Sequence, residues 1–387
     1  MKFKIILNAT TLPKGGGVQA CVSFIHMSME LSQDIDWIYI VSQKVDEELK
    51  KLGISIPDAK LIVFNESPAQ NVTSRRRLLS LSVELLPDAI FTFFGPAYVK
   101  FNAPHLCGVA DGWVTHSTRL VYRSLDSFKS KIITLLRCIY KGFWYRYADQ
   151  WVVEAVCAKK GLSKRLRLPE KSIHVVKNTC AQHYNKKIDV PFELNTDKHI
   201  KILTLSSYYP HKNLNIIPYI SKELKLMGYS DFQFIITIVR DTPEECRLLE
   251  LCKTLDVIDC VKNIGPVNIV DGPALYAAVD IVLQPSLLET FSANYPEAMA
   301  QKKPIVTTDL DFAHDICDNA ALYYPPLDAK SAANKITKLI KNISLVNELT
   351  ENGKKILSEL PNSQDKYFAY ESILKNMIIG YSNKNKA

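Results

Sequence analysis

Short apolar runs alternate along the chain with longer stretches in which apolar residues recur every three or four positions. Lys2–Asn8, Trp37–Val41, Lys60–Phe64, Ala89–Phe93, His105–Val109, Gln150–Glu154 and Ile173–Val176 predict short buried strands. Ala20–Leu31, Asp46–Leu52, Leu78–Leu86 and Ala155–Leu166 predict helices between them, with Thr73 or Ser74 as the N-cap ahead of Leu78. The alternation stops over residues 181–198, which turn polar, and then resumes. Ile200–Leu205, Phe232–Val239, Val257–Ile264, Ile281–Ser286 and Pro304–Thr307 predict strands, and Glu244–Leu255, Pro273–Val279, Ala298–Gln301, Ala329–Lys341 and Leu345–Leu360 predict helices. Two such runs predict an α/β protein of two Rossmann-like domains, each a parallel sheet wrapped by helices. The expected division is 1–184, a linker 185–198, a second domain 199–363, and a last segment 364–387.

A length of 387 residues agrees with two domains rather than one, and 47% hydrophobic with 23% charged content suits a soluble globular chain. No apolar run approaches the roughly 20 residues a membrane-spanning helix needs. The apolar part of the start is too brief for a signal peptide and reads as a first strand. Nine cysteines without a C-x-x-C pair argue against a disulfide framework and a zinc site, so the expectation is a reduced, cytoplasmic protein. Charge is uneven. Residues 1–190 hold 27 Lys/Arg against 16 Asp/Glu, and residues 191–387 hold 21 against 24. The first half is therefore the expected partner of something anionic, a membrane surface or nucleic acid.

The most informative stretch is Glu289-Thr290-Phe291-Ser292-Ala293-Asn294-Tyr295-Pro296-Glu297. A predicted strand ends before it and a predicted helix follows. Unpaired N–H groups at such a junction receive an anion, and two carboxylates beside it suit hydroxyls. Phosphates at one end and hydroxyls at the other describe a nucleotide sugar. A glycine-rich loop, Lys14-Gly15-Gly16-Gly17, follows the first strand and enters a helix; it reads either as a phosphate-facing loop or as a flexible turn. It is neither G-x-G-x-x-G nor a P-loop, which argues against a nicotinamide dehydrogenase.

Glu289 and Glu297, with Pro285-Ser286 before them and Ala298-Met299-Ala300 and Lys303-Pro304-Ile305-Val306 after, resemble the E-x7-E signature of the family-4 retaining glycosyltransferases, which have the two-domain GT-B fold. The resemblance extends from Lys14-Gly15-Gly16-Gly17 to Tyr367. It implies a cleft between the domains, a final helix, Gln364–Ile379, that crosses back to the first domain, and retaining sugar transfer from a UDP- or GDP-linked co-substrate with no metal and no cofactor. By the match, Glu289 holds sugar hydroxyls near the reacting face, and Glu297 the ribose hydroxyls. Thr290, Phe291 and Ser292 offer N–H groups to the diphosphate, where Ser292 stands in place of the usual glycine. Lys212 is the matching cation. Gly16 and Gly17 face the leaving phosphate and acceptor, and Gly265 lies in the loop under the base. Two departures stand out. The family often carries His-Asp where this chain has Ala110-Asp111, leaving Asp111 part of the role with His116 nearby. An arginine usually precedes the lysine by five residues, at Ser207 here; Arg240 is a substitute cation or a surface residue.

Arg119–Tyr147 interleaves basic with apolar and aromatic residues. It reads either as a helix lying in an anionic membrane interface, with Arg137, Lys141, Trp144 and Arg146 touching membrane or acceptor, or as a core helix with basic flanks. No recognised nucleic-acid module accompanies it, so nucleic acid is not the expected partner. Three functions compete on these grounds: a peripheral membrane enzyme adding a hexose to a lipid-linked glycan of a surface polysaccharide such as lipopolysaccharide, a soluble transferase acting on a small molecule or protein, and a GT-B protein that binds a nucleotide sugar without turnover.

Overall fold

The computed structural model describes residues 2–12, 15–181, 184, 188 and 190–384. They form two compact units, residues 1–116, 132–178 and 361–387, and residues 117–131 and 179–360. Residues 117–131, expected in the first domain, group with the second unit, and the later division falls at 178 where 184 was expected. Residues just past it are tied to the second unit: the Cys180 thiol lies 3.6 Å from Pro296 O, and Gln301 Nε2 donates to Tyr184 O at 2.9 Å. Of the expected linker, residues 185–187 and 189 lie outside the described residues.

The first unit holds β1 (Phe3–Ala9), β2 (Ile35–Ser42), β3 (Leu61–Phe64), β4 (Ala89–Thr92), β5 (His105–Gly108), β6 (Gln150–Val153) and β7 (Ile173–Val175). They form a parallel sheet in the order β3-β2-β1-β4-β5-β6-β7. The second unit holds β8 (Ile200–Thr204), β9 (Phe232–Ile236), β10 (Val261–Asn263), β11 (Ile281–Gln284), β12 (Ile305–Thr308) and β13 (Ala321–Tyr324), parallel in the order β10-β9-β8-β11-β12-β13. Both sheets are doubly wound. Strand order reverses at β1/β4 in one and β8/β11 in the other, and the carboxyl ends of strands at such a switch point are where α/β sheets bind ligands.

Local sequence explains the helices between strands. Pro243–Thr254 opens on a Thr242 hydroxyl that accepts from Glu245 N at 3.3 Å, with proline in the first turn and Glu244 and Glu245 beside the positive dipole end. The last helix, Ser363–Lys384, returns to the first unit. It buries Tyr367, Tyr370, Leu374, Met377 and Ile378 with Phe24, Phe91 and Phe93, and Phe91 and Tyr370 ring centroids are 5.1 Å apart. Burying each such side chain stabilises by about 1.5–3 kcal/mol, so this helix is an integral part of the first core.

That helix also brings a charge inside. Lys366 Nζ donates to Asn178 Oδ1 at 2.5 Å and lies 3.9 Å from Glu154 Oε1; both charged side chains are almost fully buried. Burial holds the Lys366 ammonium below its usual range against the pull of Glu154, and raises the Glu154 carboxyl against the pull of Lys366. A second buried polar chain crosses the sheet centre. Thr10 Oγ1 donates to Asn8 Oδ1 (2.8 Å), Asn8 Nδ2 to Thr92 Oγ1 (3.1 Å), and Thr92 Oγ1 bonds His105 Nε2 (2.8 Å). Burial pushes His105 down to about 3, so this imidazole is neutral.

Candidate active site

The switch point of the second sheet explains why residues far apart in sequence meet. β8 and β11 are neighbours, so the loop that leaves β8 toward Lys212 runs beside the loop that leaves β11 toward Glu289. Backbone and side-chain bonds stitch the two. Leu287 N donates to His211 O at 2.7 Å, and Asn213 Nδ2 to Pro285 O at 3.3 Å. Lys212 Nζ then reaches Glu289 Oε1 at 2.5 Å, with the lysine side chain 19% and the glutamate side chain 10% exposed. An ion pair this sheltered holds both groups in one geometry, because separating them strands a charge in low dielectric.

Gln284, the last residue of β11, is the hub behind this pair. It is 1% exposed. Its Nε2 lies 3.2 Å from Ser286 Oγ, 3.2 Å from Glu289 Oε1 and 3.1 Å from Ser292 Oγ, and its Oε1 accepts from Asn294 Nδ2 at 3.1 Å. Thr307 and Thr308 of β12 donate their hydroxyls to Gln284 O and Ser286 O. Sequence reading passed over Gln284 as the polar end of an apolar strand; a polar residue closing a buried run was the only signal.

The helix after the loop opens at Asn294, ahead of the expected Ala298, and runs Asn294–Ala300. Thr290, Phe291 and Ser292 therefore lie in the loop before it, and their N–H groups have no acceptor among the described residues. Glu297 sits one turn into the helix. Its Oε2 accepts from Tyr276 OH at 3.1 Å, and Tyr184 also hydrogen-bonds to it. Burial raises the Glu297 carboxyl while the two phenols pull it down. Gly265 N donates to Asn263 Oδ1 at 3.1 Å, Asn263 Nδ2 donates to Glu245 Oε1 at 2.6 Å, and the stem of Arg240 runs past Gly265. Arg240 is exposed and close to the loop that sequence placed under a base, while Ser207 is an exposed residue of the β8 loop.

In the first unit, Gly15 caps helix Gly16–Leu31 at φ 79°, a backbone state that other residues adopt only with strain. Gly16 and Gly17 form the helix's first turn, with Gly17 against Leu12 and Phe94, and Lys14 lies outside the described residues. Asp111 Oδ1 caps the short helix Gly112–Thr115 through Trp113 N and Val114 N. Its Oδ2 accepts from Lys141 Nζ at 2.6 Å. Burial alone would lower the Lys141 ammonium, but the Asp111 charge and hydrogen bond outweigh it and hold it above its usual range.

Arg119–Tyr147 is two helices, Arg119–Arg123 and Phe128–Tyr145. Lys141 and Trp144, expected to touch membrane or acceptor, are half-buried and engage other side chains of the first unit. Lys141 faces Asp111, and Trp144 packs with Tyr98, Tyr140 and the Arg75 guanidinium. Arg75 is fixed there by Pro68 O, Ala69 O and Tyr140 OH. Arg137 and Arg146 are exposed. Beside them Leu136 is 58% and Ile139 60% exposed, with Phe128, Ile132, Leu135 and Phe143 also on the surface. No helix of the described residues is long and apolar enough to cross a membrane.

Comparison with known proteins places this geometry. Residues 185–356 match the family described as Glycosyl transferases group 1. The O-antigen chain mannosyltransferase RfbU of Salmonella typhimurium is 26% identical over 343 residues, covering 87% of this chain and 90% of RfbU. Among solved structures, a glycosyltransferase from Rickettsia africae has a TM-score of 0.72 at 17% identity, covering 97% of this chain and 99% of that one. Anabaena Alr3699/HepE, solved in complex with UDP and glucose, has a TM-score of 0.71 at 15% identity, covering 97% and 100%. Lys212, Glu289 and Glu297 thus lie inside a glycosyl transferases group 1 domain, and the chain is a glycosyltransferase of the GT-B fold.

Proposed function

We propose that this chain is a retaining hexosyltransferase that moves a mannose-type sugar from a UDP- or GDP-linked donor to a lipid-linked saccharide during surface-polysaccharide assembly. The observation that carries the reading is the sheltered Lys212–Glu289 pair beside the free N–H groups of Thr290, Phe291 and Ser292. Breaking a sugar–phosphate bond builds negative charge on the diphosphate and positive charge on the sugar ring. A fixed ammonium and preorganised N–H donors stabilise the first; a carboxylate held against the sugar stabilises the second and orients its hydroxyls. Glu297 takes the ribose hydroxyls, as an acid does in dinucleotide sites. Gly265 and Arg240 flank the base, and Gly16, Gly17 and Asp111 serve the acceptor side. No cofactor is required beyond the nucleotide-sugar co-substrate. RfbU, a mannosyltransferase of the O-antigen chain, supports the sugar class and the pathway type.

The exposed apolar row of Phe128–Tyr145, flanked by Lys129 and Arg137, supports attachment to the inner face of the cytoplasmic membrane, where a lipid-linked acceptor would be found. The test is transfer of labelled mannose from GDP- and UDP-linked donors to an extracted lipid-linked glycan, with the new linkage read by NMR. An α-linkage formed from an α-linked donor, lost in Glu289→Ala, is expected. A β-linkage overturns the retaining assignment, and no transfer from any donor favours a GT-B protein that binds without turnover.

A further inference from the structure

Glu297 is held by a contact that was built into the fold. Tyr276, fully buried on helix Gly272–Ala277, donates to its Oε2 at 3.1 Å, and Tyr184 bonds the same carboxylate. The two rings meet edge to face at 5.8 Å. The Tyr184 hydroxyl occupies the space beside Gly272: a Cβ there would lie 2.3 Å from that oxygen. Gly272 has ordinary helical backbone angles, so its lack of a side chain serves the tyrosine, not the turn. Gln301 and Cys180 pin the same segment from either side.

An ionised carboxylate offers about four acceptor sites. Two phenols fill two of them and leave two, the number a vicinal diol needs. We propose that Tyr184 and Tyr276 are positioning residues for the nucleotide, holding the Glu297 carboxylate so that its two free acceptor sites meet the ribose 2′- and 3′-hydroxyls. This rests on the reading of Glu297 as the ribose ligand. Tyr184 makes the grip depend on the segment that leads into the second unit.

The surroundings give this role a signature. The titratable groups that face Glu297 are Tyr184, Tyr276 and the Cys180 thiol, and no cation among the described residues offsets its charge. Burial raises the carboxyl and the phenols lower it. Removing one phenol therefore lets the carboxylate take up a proton at higher pH, and nucleotide binding weakens at higher pH on its acid side.

Calorimetric binding of UDP, GDP and their 2′,3′-dideoxy forms, from pH 5 to 8, tests this on the full chain. Wild type is expected to prefer the ribose form, and Glu297→Gln to lose that preference. Tyr184→Phe should weaken the ribose form about tenfold, the scale of one hydrogen bond to a charged group. It should leave the dideoxy form unchanged and move the acid limb upward. Gly272→Ala, which displaces the Tyr184 hydroxyl but keeps the tyrosine, should do the same. Equal weakening of ribose and dideoxy forms, or an unmoved acid limb, overturns the positioning role. A wild type that does not distinguish ribose from dideoxy, or a Glu297→Gln that still does, overturns the ribose reading itself and the proposal with it.

Discussion

Replacing Gln284 by methionine tests whether the loop of the acidic pair is held from behind by one amide. The two side chains have similar length, so the change removes polar atoms without opening a cavity. Three acceptors surround Nε2, yet the amide has two hydrogens, so two full donor bonds and the bond accepted from Asn294 are lost. At about 1 kcal/mol net for each, the loss is roughly 3 kcal/mol. Ser286 and Ser292 are almost fully buried and gain no water in compensation. For a unit of 150–250 residues this lowers Tm by roughly 6–12 °C. Glu289 keeps its bond to Lys212 but loses its second anchor, and a shift of about 1 Å at a reacting group costs turnover on the order of a hundredfold. Thermal unfolding followed by circular dichroism and steady-state transfer read the two effects. A variant within about 0.5 kcal/mol of wild type and fully active would refute the reasoning.

Further consequences follow from buried charge and from the exposed helix. Glu154→Leu strands Lys366 and should destabilise by about 3–5 kcal/mol, whereas Glu154→Leu with Lys366→Met should recover most of it; urea denaturation of the two variants decides. His105 has a folded pKa of about 3, below the ordinary histidine value of 6.5. Between those values the unfolded chain binds a proton that the folded chain refuses, so stability should fall by up to about 1.4 kcal/mol per pH unit as pH drops from 6.5 toward 3. His105→Gln should flatten that slope in denaturation curves across the window. Leu136→Glu with Ile139→Glu should abolish co-sedimentation with anionic vesicles, whereas Lys141→Met, which faces Asp111, should leave it intact; pelleting by the double variant would remove the membrane reading.

The fold was legible because short apolar runs mark every strand from β1 to β12, although helix Ile216–Leu226 between β8 and β9 was not predicted, and the acidic pair was legible because it is contiguous. What escaped did so for identifiable reasons. Helix Asp311–Cys317 buries Phe312, Ala313, Ile316 and Cys317 at helical spacing but is only seven residues long, and β13 buries only Ala321 and Tyr324 fully, where β4, β5, β11 and β12 are buried throughout. The strand expected over Phe232–Val239 ends at Ile236, since Thr237 turns to bond the β8 loop through Ser206 N. The partner of Lys141 escaped because a basic residue on an amphipathic helix does not show in the local sequence what it pairs with. That partner, Asp111, is 30 residues away. Tyr184 was assigned to the first domain because nothing local links it to Gly272 or Glu297. Only the folded second unit brings the three together.

The most direct test of the central claim is calorimetric titration of UDP- and GDP-linked mannose and glucose into the full chain and into Lys212→Met. The account predicts saturable binding of one donor, weakened about tenfold or more when the ammonium is removed. Binding of no donor, or binding indifferent to Lys212, would contradict it.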